Sequence, residues 1–326
     1  MKILAKKLKF AFYWAATCGG CDVAILDIAE KILDVIEIAD IVFWPIAVDF
    51  KYKDLEAMDK GSIDIAFYNG AVRNSEHEHV AKVLREKSKV MIAFGACACW
   101  GGIPGLANIS NKEEIFKVAY KETPSTVNPD FTVPVTNLKI GDLVLTLPEF
   151  YDTVKSLNMV VDVDYYVPGC PPSVELIEQA IEAIKTNKLP PKGSVIGPRY
   201  TLCEVCKRKK DEKVKIKDIK RVYEGKPDPE KCFLDQGYIC LGPATRAGCA
   251  GEEGGRCLNA NMPCRGCMGP ADEIKDQGAR MISALASLMY PEIPPEEYIK
   301  MVKDPIGLFY RFTLPASILN RKVIKG

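Results

Sequence analysis

The sequence predicts an α/β protein, a doubly wound parallel sheet joined to a second, irregular, cysteine-rich domain. Three observations predict it. Up to about residue 190, short apolar runs alternate with segments of helical period, the pattern of a parallel sheet covered on both faces. Lys188 to Pro198 (KLPPKGSVIGP) then reads as a linker. Beyond it periodicity fades, core residues become sparse and eight of the thirteen cysteines gather, so bound metal is expected to stabilise that half. The division falls between residues 1–192 and 193–326.

The elements follow in order. Lys9–Ala15 is aromatic-rich and reads as a strand. Asp22–Ile38 reads as one helix, with Val23, Ile25, Leu26, Ile28, Ala29, Ile32, Leu33 and Ile36 at helical spacing. Ile41–Trp44 and Ile63–Tyr68 are buried-strand runs, and Ser75 caps a helix reaching Glu86. Val90–Phe94 and Val160–Val167 are further strands, and Glu175–Ile184 is a helix. The stretch Leu308–Ile324 is aromatic and apolar. No internal repeat is found.

Composition narrows the function classes. The chain has 326 residues, 48% of them hydrophobic, enough for one large domain or two ordinary ones. A net charge of +1 lacks the basic excess of a nucleic-acid binder. No apolar run reaches the roughly 18 residues a membrane span needs. Met1-Lys2-Ile3-Leu4 opens with neither a signal-peptide apolar region nor a twin-arginine signal, so a cytoplasmic location is expected. In that reducing compartment an odd number of cysteines points to metal ligation rather than to disulfides.

Five cysteines sit where strands end. Cys18-Gly-Gly-Cys21 follows the first strand, Gly-Ala-Cys97-Ala-Cys99-Trp-Gly-Gly a later one, and Pro-Gly-Cys170-Pro-Pro another. Ligands of open α/β sheets bind at the carboxyl ends of strands, so these loops are placed to converge. A 4Fe–4S cluster takes four thiolates. Cys18, Cys21 and Cys170 supply three, and Cys97 or Cys99 the fourth. The glycines let backbone approach sulfur and offer it N–H donors. The other eight, Cys203, Cys206, Cys232, Cys240, Cys249, Cys257, Cys264 and Cys267, make two further sets of four.

Together the CxxC, the G-x-C-A-x-W-G-G segment and P-G-C-P-P resemble nickel–iron hydrogenase small subunits. That resemblance implies a flavodoxin-like first domain and selects Cys97 as the proximal ligand, with Cys99 supernumerary. Cys240-Leu-Gly-Pro followed by Cys249, and Pro-Cys264-Arg-Gly-Cys267, resemble the family's later motifs. They imply a distal cluster on Cys203, Cys206, Cys232 and Cys240, and a medial cluster on Cys249, Cys257, Cys264 and Cys267. Three 4Fe–4S clusters are thus implied. Many members use histidine where Cys203 stands, and proline close to where Cys257 stands; the Cys232–Cys240 spacing is also somewhat longer than usual. The all-cysteine pattern is most similar to the soluble, methyl viologen-reducing, deazaflavin-non-reducing hydrogenases of methanogens.

The resemblance implies an electron relay, with hydrogen oxidised at nickel–iron in a separate large subunit. A 2Fe–2S delta subunit and then heterodisulfide reductase are the implied acceptors. The alternatives are another cytoplasmic hydrogenase, a complex I-like quinone-linked subunit, which shares G-x-C and P-G-C-P-P, or a zinc-stapled interaction protein. A zinc ribbon needs CxxC pairs about 15–20 residues apart, and Cys206 and Cys264 are much farther apart. Nickel is not expected here, because no histidine follows Cys267 closely.

Three polar features have two readings each. The lysine-rich stretch Lys207–Arg221 is a solvated face or a dock for an acidic electron partner. Glu76-His77-Glu78-His79 is an exposed helix start rather than a metal site. Asp22 either tunes the first site or is a helix-start carboxylate favoured by the dipole.

Overall fold

The computed structural model describes residues 7–321. Residues 1–6 and 322–326 of the two expected domains lie outside it, as do the last three residues of the apolar Leu308–Ile324 stretch. The strands are β1 (Leu8–Trp14), β2 (Ala39–Phe43), β3 (Ile63–Asn69), β4 (Val72–Asn74), β5 (Ser88–Phe94), β6 (Asn137–Ile140), β7 (Leu143–Thr146), β8 (Phe150–Lys155), β9 (Tyr165–Val167) and β10 (Cys249–Glu252). The helices of the first half are α1 (Gly20–Leu26), α2 (Ile32–Ile38), α3 (Tyr52–Ala57), α4 (Ser75–Lys87), α5 (Ala96–Trp100), α6 (Lys112–Lys117) and α7 (Val174–Lys185). Those of the second are α8 (Arg256–Asn259), α9 (Gln277–Ala286), α10 (Pro295–Met301) and α11 (Pro305–Phe309).

Five strands form one sheet in the order β2-β1-β3-β5-β9, all parallel. Counted along the chain, the order is that of a flavodoxin-like doubly wound sheet, whose switch point lies between β1 and β3. Side chains alternate between the two faces. Phe10, Phe12, Phe67, Ile92 and Phe94 join Ile25, Val35 and Ile177 in one core. Ala11, Tyr13, Tyr68, Met91 and Ala93 join Leu55, Val80 and Leu84 in the other. Phe12 stacks on Phe67 at 4.9 Å between centroids, and truncating such a ring costs about 3–5 kcal/mol.

The structure departs from the sequence reading at four places. The expected helix Asp22–Ile38 is broken: Ala29 takes φ +52° and a short 3₁₀ turn separates α1 from α2. Side-chain period does not register such a break. Asn74, not Ser75, caps α4, its Oδ1 accepting from the His77 N–H at 2.8 Å. Ser75 instead bonds the Glu149 backbone. The strand expected over Val160–Val167 shrinks to β9, because the preceding valines pack against the core without a ladder. Asp164 anchors that edge, accepting from the Met91 N–H (2.8 Å), Arg85 (2.6 Å) and Lys192 (2.6 Å).

The fourth correction concerns the second half, which has a substantial apolar core. Leu202, Phe233, Leu241, Leu258, Met281, Leu285, Phe309 and Leu314 are buried together. Their scatter along the sequence hides them from any periodicity. The chain end then returns to the first half. The Gly102 N–H donates to the Phe312 carbonyl at 3.1 Å, and a Cβ on Gly101 or Gly105 would strike Pro315.

Candidate metal centres

The loop after β1 turns at Gly19 (φ +85°) into α1 and carries Cys18 and Cys21. β5 ends at Gly95, which opens α5 and Cys97. The loop after β9 carries Cys170. These three strand ends bring four thiols together. Burial first, then the thiols of Cys97 and Cys170, raise the Cys21 thiol above its ordinary value. Burial, with Cys170 and Cys18 behind it, pushes Cys97 up to about 12. Cys21 and Cys97 are buried, whereas Cys18 and Cys170 reach the surface.

Two glycines make room for the sulfurs. Gly95 has φ +84°, ψ +159°, a region essentially closed to other residues, and a Cβ there would collide with Cys21 Sγ. A Cβ on Gly102 (φ +57°) would lie 2.5 Å from Cys97 Sγ. Donors face the same sulfurs: the Ile103 N–H and the Thr17 side chain hold Cys97 down against burial. Such N–H···S contacts are among the controls of cluster potential.

In the second half Cys203 is pushed up to about 12 by burial and then by Cys240, Cys232 and Cys206. These four thiols line one small cavity with Leu202, Phe233 and Leu258. The Leu234 and Asp235 N–H groups donate toward Cys232. Cys267, pushed up to about 12 by burial, feels Cys249 and then Cys257. Cys264 faces both Cys240 and Cys267. Eleven of the twelve thiols singled out in the sequence thus fall into three neighbouring groups, and Cys264 stands between the two of the second half.

An N–H···S bond runs between each pair of adjoining groups. The Cys170 N–H donates toward Cys267 Sγ, linking the first group to Cys249, Cys257, Cys264 and Cys267. The Cys264 N–H donates to Cys240 Sγ at 3.3 Å, linking that group to Cys203, Cys206, Cys232 and Cys240. Thiols raised this far by burial become thiolates only beside positive charge. Tetrahedral zinc would draw four sulfurs to about 3.8 Å of one another. Among the described residues no three His, Cys, Asp or Glu converge closely enough to hold a single ion.

The remaining candidates have partners of their own. Cys99 is wholly buried and turns away from the site, donating to the Ala93 carbonyl at 3.3 Å and toward that of Val167 at 3.7 Å. Asp22, in the first turn of α1, is buried; it accepts from Trp44 Nε1 (2.8 Å) and Asn69 Nδ2 (3.0 Å). Burial raises its pKa against those two bonds. His77 and His79 lie on α4, His79 against Glu56 at 2.9 Å. Sequence reasoning did not find Thr17 and Thr245, whose side chains face Cys97 and Cys264; no spacing rule marks them.

Comparison with known proteins places this arrangement. The family described as NADH ubiquinone oxidoreductase, 20 Kd subunit, matches residues 18–184. The iron-sulfur subunit of the F420-non-reducing hydrogenase of Archaeoglobus profundus is 46% identical over 323 residues, covering 98% of this chain and 99% of that one. The corresponding F420-non-reducing hydrogenase subunit of Methanothermobacter thermautotrophicus is 39% identical over 328 residues, covering 99% of each. A crystal structure of an NAD+-reducing [NiFe]-hydrogenase in the H2-reduced state aligns with TM-score 0.47 and 28% identity, covering 57% of this chain and 94% of that one. With full-length relatives at this identity, the chain belongs to the family of F420-non-reducing hydrogenase iron-sulfur subunits, a hydrogenase small-subunit family.

Proposed function

We propose that the chain is the electron-relay subunit of a cytoplasmic nickel–iron hydrogenase, carrying electrons from hydrogen oxidised in a separate large subunit to a downstream acceptor. The observation that carries this reading is the row of three thiol groups, each joined to the next by one N–H···S bond. Cys18, Cys21, Cys97 and Cys170 would hold the proximal 4Fe–4S cluster. Cys249, Cys257, Cys264 and Cys267 would hold the medial one, and Cys203, Cys206, Cys232 and Cys240 the distal one. When bound, each such cluster supplies reversible one-electron chemistry.

The residues of the chain hold, tune and shield. Glycine at 95 and 102 lets backbone close on the first site, N–H donors favour thiolate, and Leu202, Phe233 and Leu258 pack beside the distal thiols. Residues 1–192 would form the sheet domain with the first site, and residues 193–326 the domain of the other two. The large subunit would cover Cys18 and Cys170 and the apolar residues beside them. A 2Fe–2S delta subunit and heterodisulfide reductase would receive the electrons. A complex I-like reading has the 20 Kd family match behind it, but that match ends at Ile184, before eight of the twelve ligands.

Anaerobic isolation of the native complex tests this. Three cubes imply about twelve iron atoms per chain, no stoichiometric zinc and a nickel-containing partner. Iron near eight in active complex, or zinc bound to any set, would sink the three-cluster reading.

A further inference from the structure

The distal thiols lie beneath the most basic stretch of the molecule. Lys207–Arg221 holds nine Lys and Arg against three Asp and Glu, a local +6 in a chain of net +1. Lys207, Lys210 and Lys213 are exposed, and among the described residues none of them sits in an ion pair, unlike Lys209 with Glu230. Two surface depressions open on three of the four distal thiols. A groove of ≈ 1260 Å³ is lined by Cys203, Cys232 and Lys210. A second, of ≈ 440 Å³, is lined by Cys206 and Lys207. Free cations thus stand on both sides of the site.

Most carboxylates along the larger groove are committed elsewhere. Glu204 accepts from the Thr201 N–H at 2.7 Å. Asp272 bridges Arg199 and Arg246. Asp276 caps α9, accepting from the Ala279 N–H at 2.7 Å. Glu273 and Lys275, both on the groove wall, offset one another in charge. The larger groove's lining is balanced, with Arg199, Lys210, Lys275 and Arg280 against Glu204, Asp272, Glu273 and Asp276; the positive excess stands at the smaller one, where Lys207, Arg208 and Lys209 face Glu230 alone.

We propose that this face docks an acidic electron-carrier protein, steered by Lys207, Lys210 and Lys213 onto the Cys203–Cys206 edge. The inference rests on the relay reading above, in which the distal set is the exit. The step transfers one electron to the oxidised carrier; no bond forms or breaks and no proton moves. A cationic mouth raises the encounter rate of an anionic partner and loses that advantage in salt.

The test uses the native complex under hydrogen, with three probes: an acidic 2Fe–2S ferredoxin, a basic c-type cytochrome and methyl viologen. Ferredoxin reduction should fall at least about tenfold between ~0.02 M and ~0.5 M salt. The triple variant Lys207→Glu, Lys210→Glu, Lys213→Glu should lose about tenfold at low salt, mainly through KM, and flatten the salt profile. Cytochrome reduction should move the opposite way, and viologen reduction should stay within about twofold. Ferredoxin rates indifferent to salt and to the variant, with viologen reduction intact, would overturn the docking surface. Where the variant loses iron, the salt profile of the parent complex decides alone. Hydrogen-reduced parent that passes electrons to none of the probes would instead refute the relay reading, and the docking surface with it.

Discussion

At the scale of single residues the decisive pair is Cys97 and Cys99, two positions apart with opposite surroundings. Cys97 faces Cys170 and Cys18, whereas Cys99 donates back into the sheet. Cys97→Ser should strip the proximal cluster and lower hydrogen-driven viologen reduction by at least about tenfold. Cys99→Ser should keep the cluster and cost about 1 kcal/mol of stability, since a hydroxyl can donate to the same carbonyl. The reverse pattern in iron content and activity would show that the register at this loop is wrong. Cys257 offers a second residue-scale test. It stands in the first turn of α8, where proline is tolerated, so Cys257→Pro should fold and remove one thiolate. The medial site should then hold a 3Fe–4S cluster of higher potential, seen by electron paramagnetic resonance of the oxidised variant. The same signal at full stoichiometry in unoxidised parent would remove Cys257 from the ligand set.

At the scale of elements, β6 and β7 form a two-stranded hairpin whose residues are all exposed. Leu138, Ile140, Leu143, Val144 and Leu145 are among them. An isolated two-stranded hairpin is marginal in water, and its register gathers Leu138, Ile140, Leu143 and Leu145 on one face, an exposed apolar surface that calls for a covering chain. Amides of residues 137–146 should exchange slowly in the complex and quickly in the free subunit; equal rates would put the large subunit elsewhere. The sheet edge gives a pH-dependent test. Burial raises the Asp164 carboxyl, but Lys192, the Met91 N–H and Arg85 outweigh it and hold its pKa below the ordinary value. A depressed carboxylate stabilises the fold above its unfolded pKa, about 3.9, and that contribution fades as pH falls through the folded value. Asp164→Asn should therefore cost about 2 kcal/mol, by a constant amount between about pH 6 and pH 8 in thermal melts. A difference that changes within that window would implicate another group.

At the scale of the whole molecule, the two halves depend on metal unequally. The sheet has two apolar cores, one of them free of proposed ligands and the other holding Cys21 beside Cys249 and Cys267, whereas the one core of the second half includes Cys240 and Cys264 and is flanked by Cys206 and Cys232. Iron removal should expose residues 199–270 to limited proteolysis before the sheet, and even cleavage across the chain would mean the clusters stabilise both halves alike. Much of this architecture was legible in the residues. Apolar runs bounded by glycine marked β1, β3 and β5, and CxxC, P-G-C-P-P and C-x-G-P marked the proposed ligands, because short-range spacing governs both. The break at Ala29, the Asn74 cap and the solvent-exposed hairpin were not legible, since side-chain period does not record backbone turns or missing neighbours. Nor was the second core, whose members lie far apart in sequence. By itself the sequence determined the fold class and, through the family's motifs, suggested a grouping of twelve thiols. Only the tertiary structure decided which way Cys97 and Cys99 face, and that Cys170 and Cys264 bridge neighbouring sets. The physical reason is that these depend on where separate chain segments come to rest against one another, which no local spacing encodes.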